Sequence, residues 1–369
     1  MYKILASLIV TFVIALILTP LVRRLSLRIG AVDDPNARRV NRVPMPTMGG
    51  VAIFVAFNLT NFLLLRDQYP IGQLIALFLA QCLIIITGIL DDIFELSPRQ
   101  KIVGITLAAL VVYFVANIKM TTLTLPFIGV VPLGWFSLPI TLIWILAITN
   151  AVNLIDGLDG LATGVAIIAL TTSALTGYFF LNVTSTFISI MMATLVAALL
   201  GFLPYNFHPA KIYLGDTGSL FIGFMISVFA LYGLKNATFI TLIIPVIILG
   251  VPITDTVYAI LRRLLNKRPI SQADKHHLHH RLMQMGLSHR QTVLVIYGIA
   301  LIFSFIALLY PLSNLWGSIL LTAATLFGLE LFVEAIGLVG DDRRPLLDWI
   351  KKIVLKLSRR SDNVDVHKK

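Results

Sequence analysis

"NAVNLIDGLDGLATG", residues 150–164, places two asparagines, two aspartates and three glycines between apolar runs near 135–152 and 160–181. A run of about twenty apolar residues is enough to cross the hydrocarbon core of a bilayer. Ionisable residues are costly at membrane depth and tend to mark function. The stretch therefore reads as the junction of two membrane helices, with chemistry concentrated at the turn.

The same apolar pattern continues in both directions. Runs fall near residues 2–22, 49–65, 71–90, 102–118, 135–152, 160–181, 184–204, 217–234, 237–261, 292–311 and 315–339, which predicts an all-α integral membrane protein of about eleven transmembrane helices. Composition agrees. The chain of 369 residues is 58% hydrophobic and 13% charged, with a mean hydropathy of +0.91, whereas soluble domains carry about a quarter charged residues. The single cysteine, Cys82, lies in an apolar run, which excludes a disulfide framework or paired-cysteine zinc site. The first run has the length of a spanning helix and no small-residue cleavage site, so it reads as a retained helix.

A net charge of +11 invites a nucleic-acid reading, but in a membrane chain the distribution decides. Basic residues recur in alternate loops: Arg23, Arg24, Arg28, Arg38, Arg39 and Arg42, then Arg99 and Lys101, then Lys211, then Arg262 through Arg290. The opposite loops hold little beyond Arg66, Lys119 and Lys235. The positive-inside rule then puts the N-terminus outside and the C-terminus in the cytoplasm, with no nucleic-acid partner. Residues 1–340 read as one transmembrane catalytic domain with cytoplasmic active-site loops, and 341–369 as a basic cytoplasmic tail. Residues 119–134, too short to span, read as an external hairpin or re-entrant turn.

The polar clusters share the basic side. Asp91 and Asp92 end the third helix, pointing about 100° apart, and carboxylates at a helix C-terminus call for a compensating cation: Arg99, Lys101 or a metal. Asn150, Asn153, Asp156 and Asp159 recur every three residues, predicting a helix end that carries the asparagines and a glycine-broken turn that presents the aspartates. Amide and carboxylate oxygens suit Mg²⁺, and equally suit a nucleobase or sugar. Asp216 in "YLGDTGS" (213–219) reads either as a helix cap or as a third acidic contact to a metal. His276, His277, His279, His280 and Arg281 in "HHLHHRL" (276–282) read as an anion site for a diphosphate, with zinc ligation as the alternative. "PMPTMGG" (44–50) reads as a stiff loop whose Gly49 and Gly50 admit close helix packing.

Taken in order from "VDDPNARRV" (32–40) to "HHLHHRL", these motifs resemble the polyprenyl-phosphate N-acetylhexosamine-1-phosphate transferase superfamily over nearly the whole chain. The histidine-rich loop is similar to that of the undecaprenyl-phosphate GlcNAc-1-phosphate transferase branch, which starts wall teichoic acid, O-antigen or common antigen chains. The resemblance implies transfer of GlcNAc-1-phosphate from a UDP-sugar donor to the acceptor undecaprenyl phosphate, a polyprenyl phosphate, releasing UMP at the inner face of a bacterial plasma membrane. It implies a Mg²⁺ cofactor, with Mn²⁺ as a substitute, and leaves room for a homodimer. On this sequence it makes Asp91 and Asp92 catalytic, Asp91 being the base toward the lipid phosphate. Asn153 and Asp216 become metal contacts, and Asn150, Asp156, Asp159, His276, His277, His279, His280 and Arg281 substrate contacts. Two other readings stay open at this level: a phospho-MurNAc-pentapeptide transferase, and a lipid-linked sugar transporter. The transporter's obvious mid-helix ionisable candidates are Glu330 and Glu334.

Overall fold

The computed structural model describes residues 2–33, 44–125, 128–180, 186–233, 239–267, 277–338, 344–352 and 354. Helices dominate them. In chain order they are α1 (Tyr2–Ile29), α2 (Gly49–Leu63), α3 (Ile71–Phe94), α4 (Pro98–Phe114), α5 (Ser137–Leu154), α6 (Leu161–Phe179) and α7 (Thr186–Asn206). There follow α8 (Gly215–Gly233), α9 (Phe239–Ile248), α10 (Gly250–Leu265), α11 (Leu278–Gln284), α12 (His289–Leu309) and α13 (Leu315–Ala335).

Among the described residues, eight helices are long and apolar enough to cross a membrane. Three further apolar runs take shorter forms. Residues 49–65 give α2, of 15 residues, and residues 102–118 give α4, of 17. The run 237–261 is broken between α9 and α10. Proline explains that break. Pro252 has no N–H to donate to the carbonyl four residues back, on Ile248, and its ring collides with it, so α9 stops at Ile248.

Two small antiparallel ladders complete the fold. Strands β3 (Thr122–Leu125) and β4 (Gly129–Pro132) pair with Leu125 opposite Gly129, which makes the 119–134 segment a hairpin. Strands β1 (Val32–Asp33) and β2 (Met45–Pro46) pair Val32 with Pro46, a contact without a sequence signal, and it draws the start of α2 toward the end of α1.

Helix α8 lies at the centre, packed on α2, α3, α5, α6 and α7. Its Phe221, Phe224 and Phe229 are fully buried, and Phe54 of α2 meets Phe221 edge-on at 5.7 Å. Small residues permit this density. A Cβ on Gly50 would stand 2.3 Å from Gly218 Cα, inside any tolerable contact, so the expectation that Gly49-Gly50 serves close packing holds.

Candidate active site

At one end of the bundle the last turn of α3, the turn after α5, the first turns of α4, α8, α11 and α12 and the loops beside them surround a cavity of about 950 Å³. Asp91, Asp92, Asp156, Asp159, Asp216, His279 and His280 all line it. Residues up to 189 positions apart in sequence thus meet in one place.

The centre of the site is an ion-pair knot. Lys101 Nζ lies 2.7 Å from Asp91 Oδ2 and also bridges to Asp216 Oδ2. Lys101 is therefore the compensating cation that the end of α3 demanded. Asn153 on α5 donates through Nδ2 to Asp216 Oδ1 at 2.7 Å and to Ser219 Oγ at 2.8 Å. Asp92 faces another way. Its Oδ1 accepts the backbone N–H of Asp216 at 2.9 Å, and its Oδ2 accepts the Thr217 N–H at 3.1 Å and the Thr217 hydroxyl at 2.5 Å. The cap of α8 is thus supplied by Asp92 from α3. Asp216, inside the first turn of α8, is left to aim its carboxylate at Lys101.

Asp156 follows in the turn after α5. Burial, and then the carboxylates of Asp216, Asp92 and Asp159, hold it well above the usual carboxylate range. Asp159 is tied down on three sides: its Oδ2 accepts from His208 Nδ1 at 2.8 Å and from the Ala210 N–H at 3.1 Å. Its own N–H donates to His289 Nε2 at 3.0 Å. The His208 and His289 rings stack at 4.2 Å. Asp159, His208 and His289 bring ligand atoms within 4.8 Å of one another, yet these hydrogen bonds already use the His289 Nε2 lone pair and the His208 Nδ1 proton. The grouping reads first as a clasp holding the 155–160 turn to α12.

The histidine segment divides. His279 lines the cavity and meets the turn at Gly157, where a Cβ would stand 2.6 Å from its Nε2. Burial and the neighbouring His280 push its pKa down to about 3, so it enters as a neutral imidazole, a donor of one N–H and not a cation. His277 does not line the cavity; its Nδ1 lies 2.8 Å from Asp255 Oδ2. Arg281 donates to the Gly337 carbonyl at the end of α13 at 2.5 Å and is not in the cavity wall. Asn150 donates to the Leu146 carbonyl of its own helix at 2.7 Å and is likewise outside the wall. His276 lies outside the described residues, as does most of the tail.

Charge decides what the cavity can bind. Among the described lining residues seven are acidic, namely Asp33, Asp91, Asp92, Glu95, Asp156, Asp159 and Asp216, and Lys101 is the one lysine or arginine. Two unit charges about 4 Å apart interact by about 4 kcal/mol at an effective dielectric of 20; this crowding, added to burial, is what raises Asp156, and among the described residues Lys101 alone offsets it. Asp91 Oδ1 is also buried with no hydrogen-bond partner among the described residues, an acceptor left over for a cation or a proton. All-oxygen donors of this kind fit a hard divalent ion such as Mg²⁺.

Sequence reasoning passed over His208, His289 and Asp255. His208 stood in plain view within "NFHPAK" (206–211), a histidine in a polar loop. Asp255, an ionisable residue inside the apolar run 237–261, was itself a signal of function.

A model of glycosyl transferase family 4 matches residues 74–234, which span the aspartate motifs. The chain is 43% identical over 356 residues, 96% of its length and 98% of the relative's, to the Bacillus subtilis (strain 168) protein named "Probable undecaprenyl-phosphate N-acetylglucosaminyl 1-phosphate transferase". The chain belongs to the polyprenyl-phosphate N-acetylhexosamine-1-phosphate transferase superfamily. Within this superfamily it is 34% identical to the decaprenyl-phosphate N-acetylglucosaminephosphotransferase of Mycolicibacterium smegmatis, over 75% of the chain and 74% of that protein. A phospho-N-acetylmuramoyl-pentapeptide-transferase of Halalkalibacterium halodurans is 31% identical, over 82% and 96%.

Proposed function

We propose that this protein transfers GlcNAc-1-phosphate from UDP-GlcNAc to undecaprenyl phosphate, releasing UMP. The observation that carries the reading is the convergence of Asp91, Lys101 and Asp216 at the mouth of a membrane helix bundle. A polyprenyl acceptor cannot leave the lipid, and its phosphate meets a water-soluble donor only at such a site. The basic loops support a site on the cytoplasmic side of the plasma membrane, and the eleven apolar runs of the sequence support about eleven crossings.

In the reaction a phosphate oxygen of the lipid attacks the β-phosphorus of the donor. A new P–O bond forms as the bond between that phosphorus and the bridging oxygen breaks, and UMP departs with the bridging oxygen. Such transfers need positioning and charge neutralisation more than covalent chemistry. Asp91, Asp156 and Asp216 are the residues that would hold Mg²⁺, which supplies charge neutralisation to the diphosphate when bound. Asp91 Oδ1 is free to take the acidic proton of the acceptor. Lys101, already beside Asp91 and Asp216, meets the transferred phosphate. Asn153 acts through Asp216, whose carboxylate it orients. Asp92 acts through the α8 cap. Asp159 and His279 shape the wall for the donor.

The transport reading loses its support. Glu334 accepts the N–H groups of Leu346 and Leu347 at 2.9 and 2.8 Å, capping a short helix over 345–352, and Glu330 accepts from the Tyr258 hydroxyl.

The deciding experiment incubates purified protein with undecaprenyl phosphate, Mg²⁺ and either UDP-GlcNAc or UDP-MurNAc-pentapeptide, then measures UMP and the mass of the lipid product. Undecaprenyl-diphospho-GlcNAc is expected. Turnover of the pentapeptide donor alone overturns the choice of sugar, and no UMP from either donor overturns the reaction.

A further inference from the structure

Asp255 lies on α10, 2% exposed, and does not line the cavity. Both of its oxygens are committed to consecutive residues of the histidine segment. Oδ2 faces His277 Nδ1 at 2.8 Å, and Oδ1 accepts the Leu278 N–H at 2.7 Å. The second bond satisfies one of the orphan N–H groups at the start of α11. The first fixes the tautomer of His277, since a ring nitrogen facing a carboxylate carries the proton and leaves Nε2 as the acceptor. A buried carboxylate is expensive to keep, and among the described residues this one bonds to that segment alone.

The segment leads directly to the wall. The His277 ring, 6% exposed, lies parallel to that of His279 with centroids 6.1 Å apart. His279 in turn lies against Gly157 in the aspartate turn. Asp255 is therefore linked to the cavity through one imidazole and one helix start.

We propose that Asp255 is a positioning residue for the donor: by seating α11 on α10 and fixing the His277 tautomer, it sets how His279 is presented beside Gly157. The inference rests on the donor reading above, and it separates donor use from acceptor use, because the Lys101 knot touches neither Asp255 nor His277.

Asp255→Asn is the informative variant. Its amide oxygen can still accept the Leu278 N–H, while its NH₂ meets His277 Nδ1 and drives the opposite tautomer. The variant is expected to insert and melt like wild type, with kcat/KM for UDP-GlcNAc reduced roughly 10- to 100-fold, the range for losing the partner that orients a functional histidine. KM for undecaprenyl phosphate is expected to stay unchanged. His277→Ala should show the same donor-selective loss, and the double variant should be no worse than either single one. Unchanged donor kinetics, equal losses toward both substrates, or single losses that multiply in the double variant would each overturn the proposal. If wild type releases no UMP, the reaction reading fails instead, and calorimetric binding of UDP to the same variants then tests the positioning role.

Discussion

The carboxylate of Asp92 accepts the backbone N–H of Asp216 at 2.9 Å, across 124 positions of sequence. One aspartate of the adjacent pair thereby joins α3 to α8, and the other, Asp91, is left to the Lys101 knot. The pair is a division of labour, and substitutions should separate its halves. Asp91→Asn is expected to leave the thermal midpoint in detergent near wild type while UMP release falls about 10²- to 10³-fold. Asp92→Ala removes a helix cap, worth about 1–2 kcal/mol, and is expected to lower both midpoint and rate. A parallel scan of melting and UMP release on the two variants checks this.

Lys101 occupies the space between Asp91 and Asp216 where a divalent ion would compete with it. Lys101→Gln should therefore tighten Mg²⁺ binding and slow turnover at once. Thermal shift against Mg²⁺ concentration reads the first effect, and UMP release at saturating Mg²⁺ reads the second. Chelation by EDTA should abolish UMP release in wild type, with recovery on adding Mg²⁺.

Gly157 gives the His279 ring its place, since a Cβ there would stand 2.6 Å from Nε2. Gly157→Ala is expected to cost about 1–3 kcal/mol of stability, as overpacking does. Adding His279→Ala should restore most of the lost midpoint, because the ring that clashes is gone. Additive losses in the double variant would show that the glycine serves its own turn instead.

His279 also sets a pH dependence. Its folded pKa is depressed to about 3, below the unfolded value of about 6.5. The folded state thus binds its proton less readily than the unfolded one. This contribution to stability is full above about pH 6.5 and is lost as pH falls from there toward 3, with a limiting slope of about 1.4 kcal/mol per pH unit. The melting midpoint should fall on acidification from about pH 7 to 5, and His279→Gln, which cannot protonate, should flatten that fall.

Much of this was legible in the chain itself. Apolar length set the helices, because in lipid every backbone polar group must be satisfied within its own segment. The asparagines at the end of α5, the broken aspartate turn and the acidic pair in the last turn of α3 all followed from local pattern. So did their gathering at one end of the bundle, since polar groups cluster where helices leave the membrane.

Only the tertiary structure decided which member of each motif faces the cavity. Asp92 differs from Asp91 by one step of a helix, and nothing local says which of them meets the N–H groups of α8. Arg281 reads like a phosphate contact until the Gly337 carbonyl is found beside it, and Asp255 reads like a stray charge until His277 is. The physical reason is common to all three. A charged side chain commits to whatever partner packing brings within about 3 Å, and packing joins residues tens to hundreds of positions apart, whereas sequence pattern reports only the few residues of a helical turn.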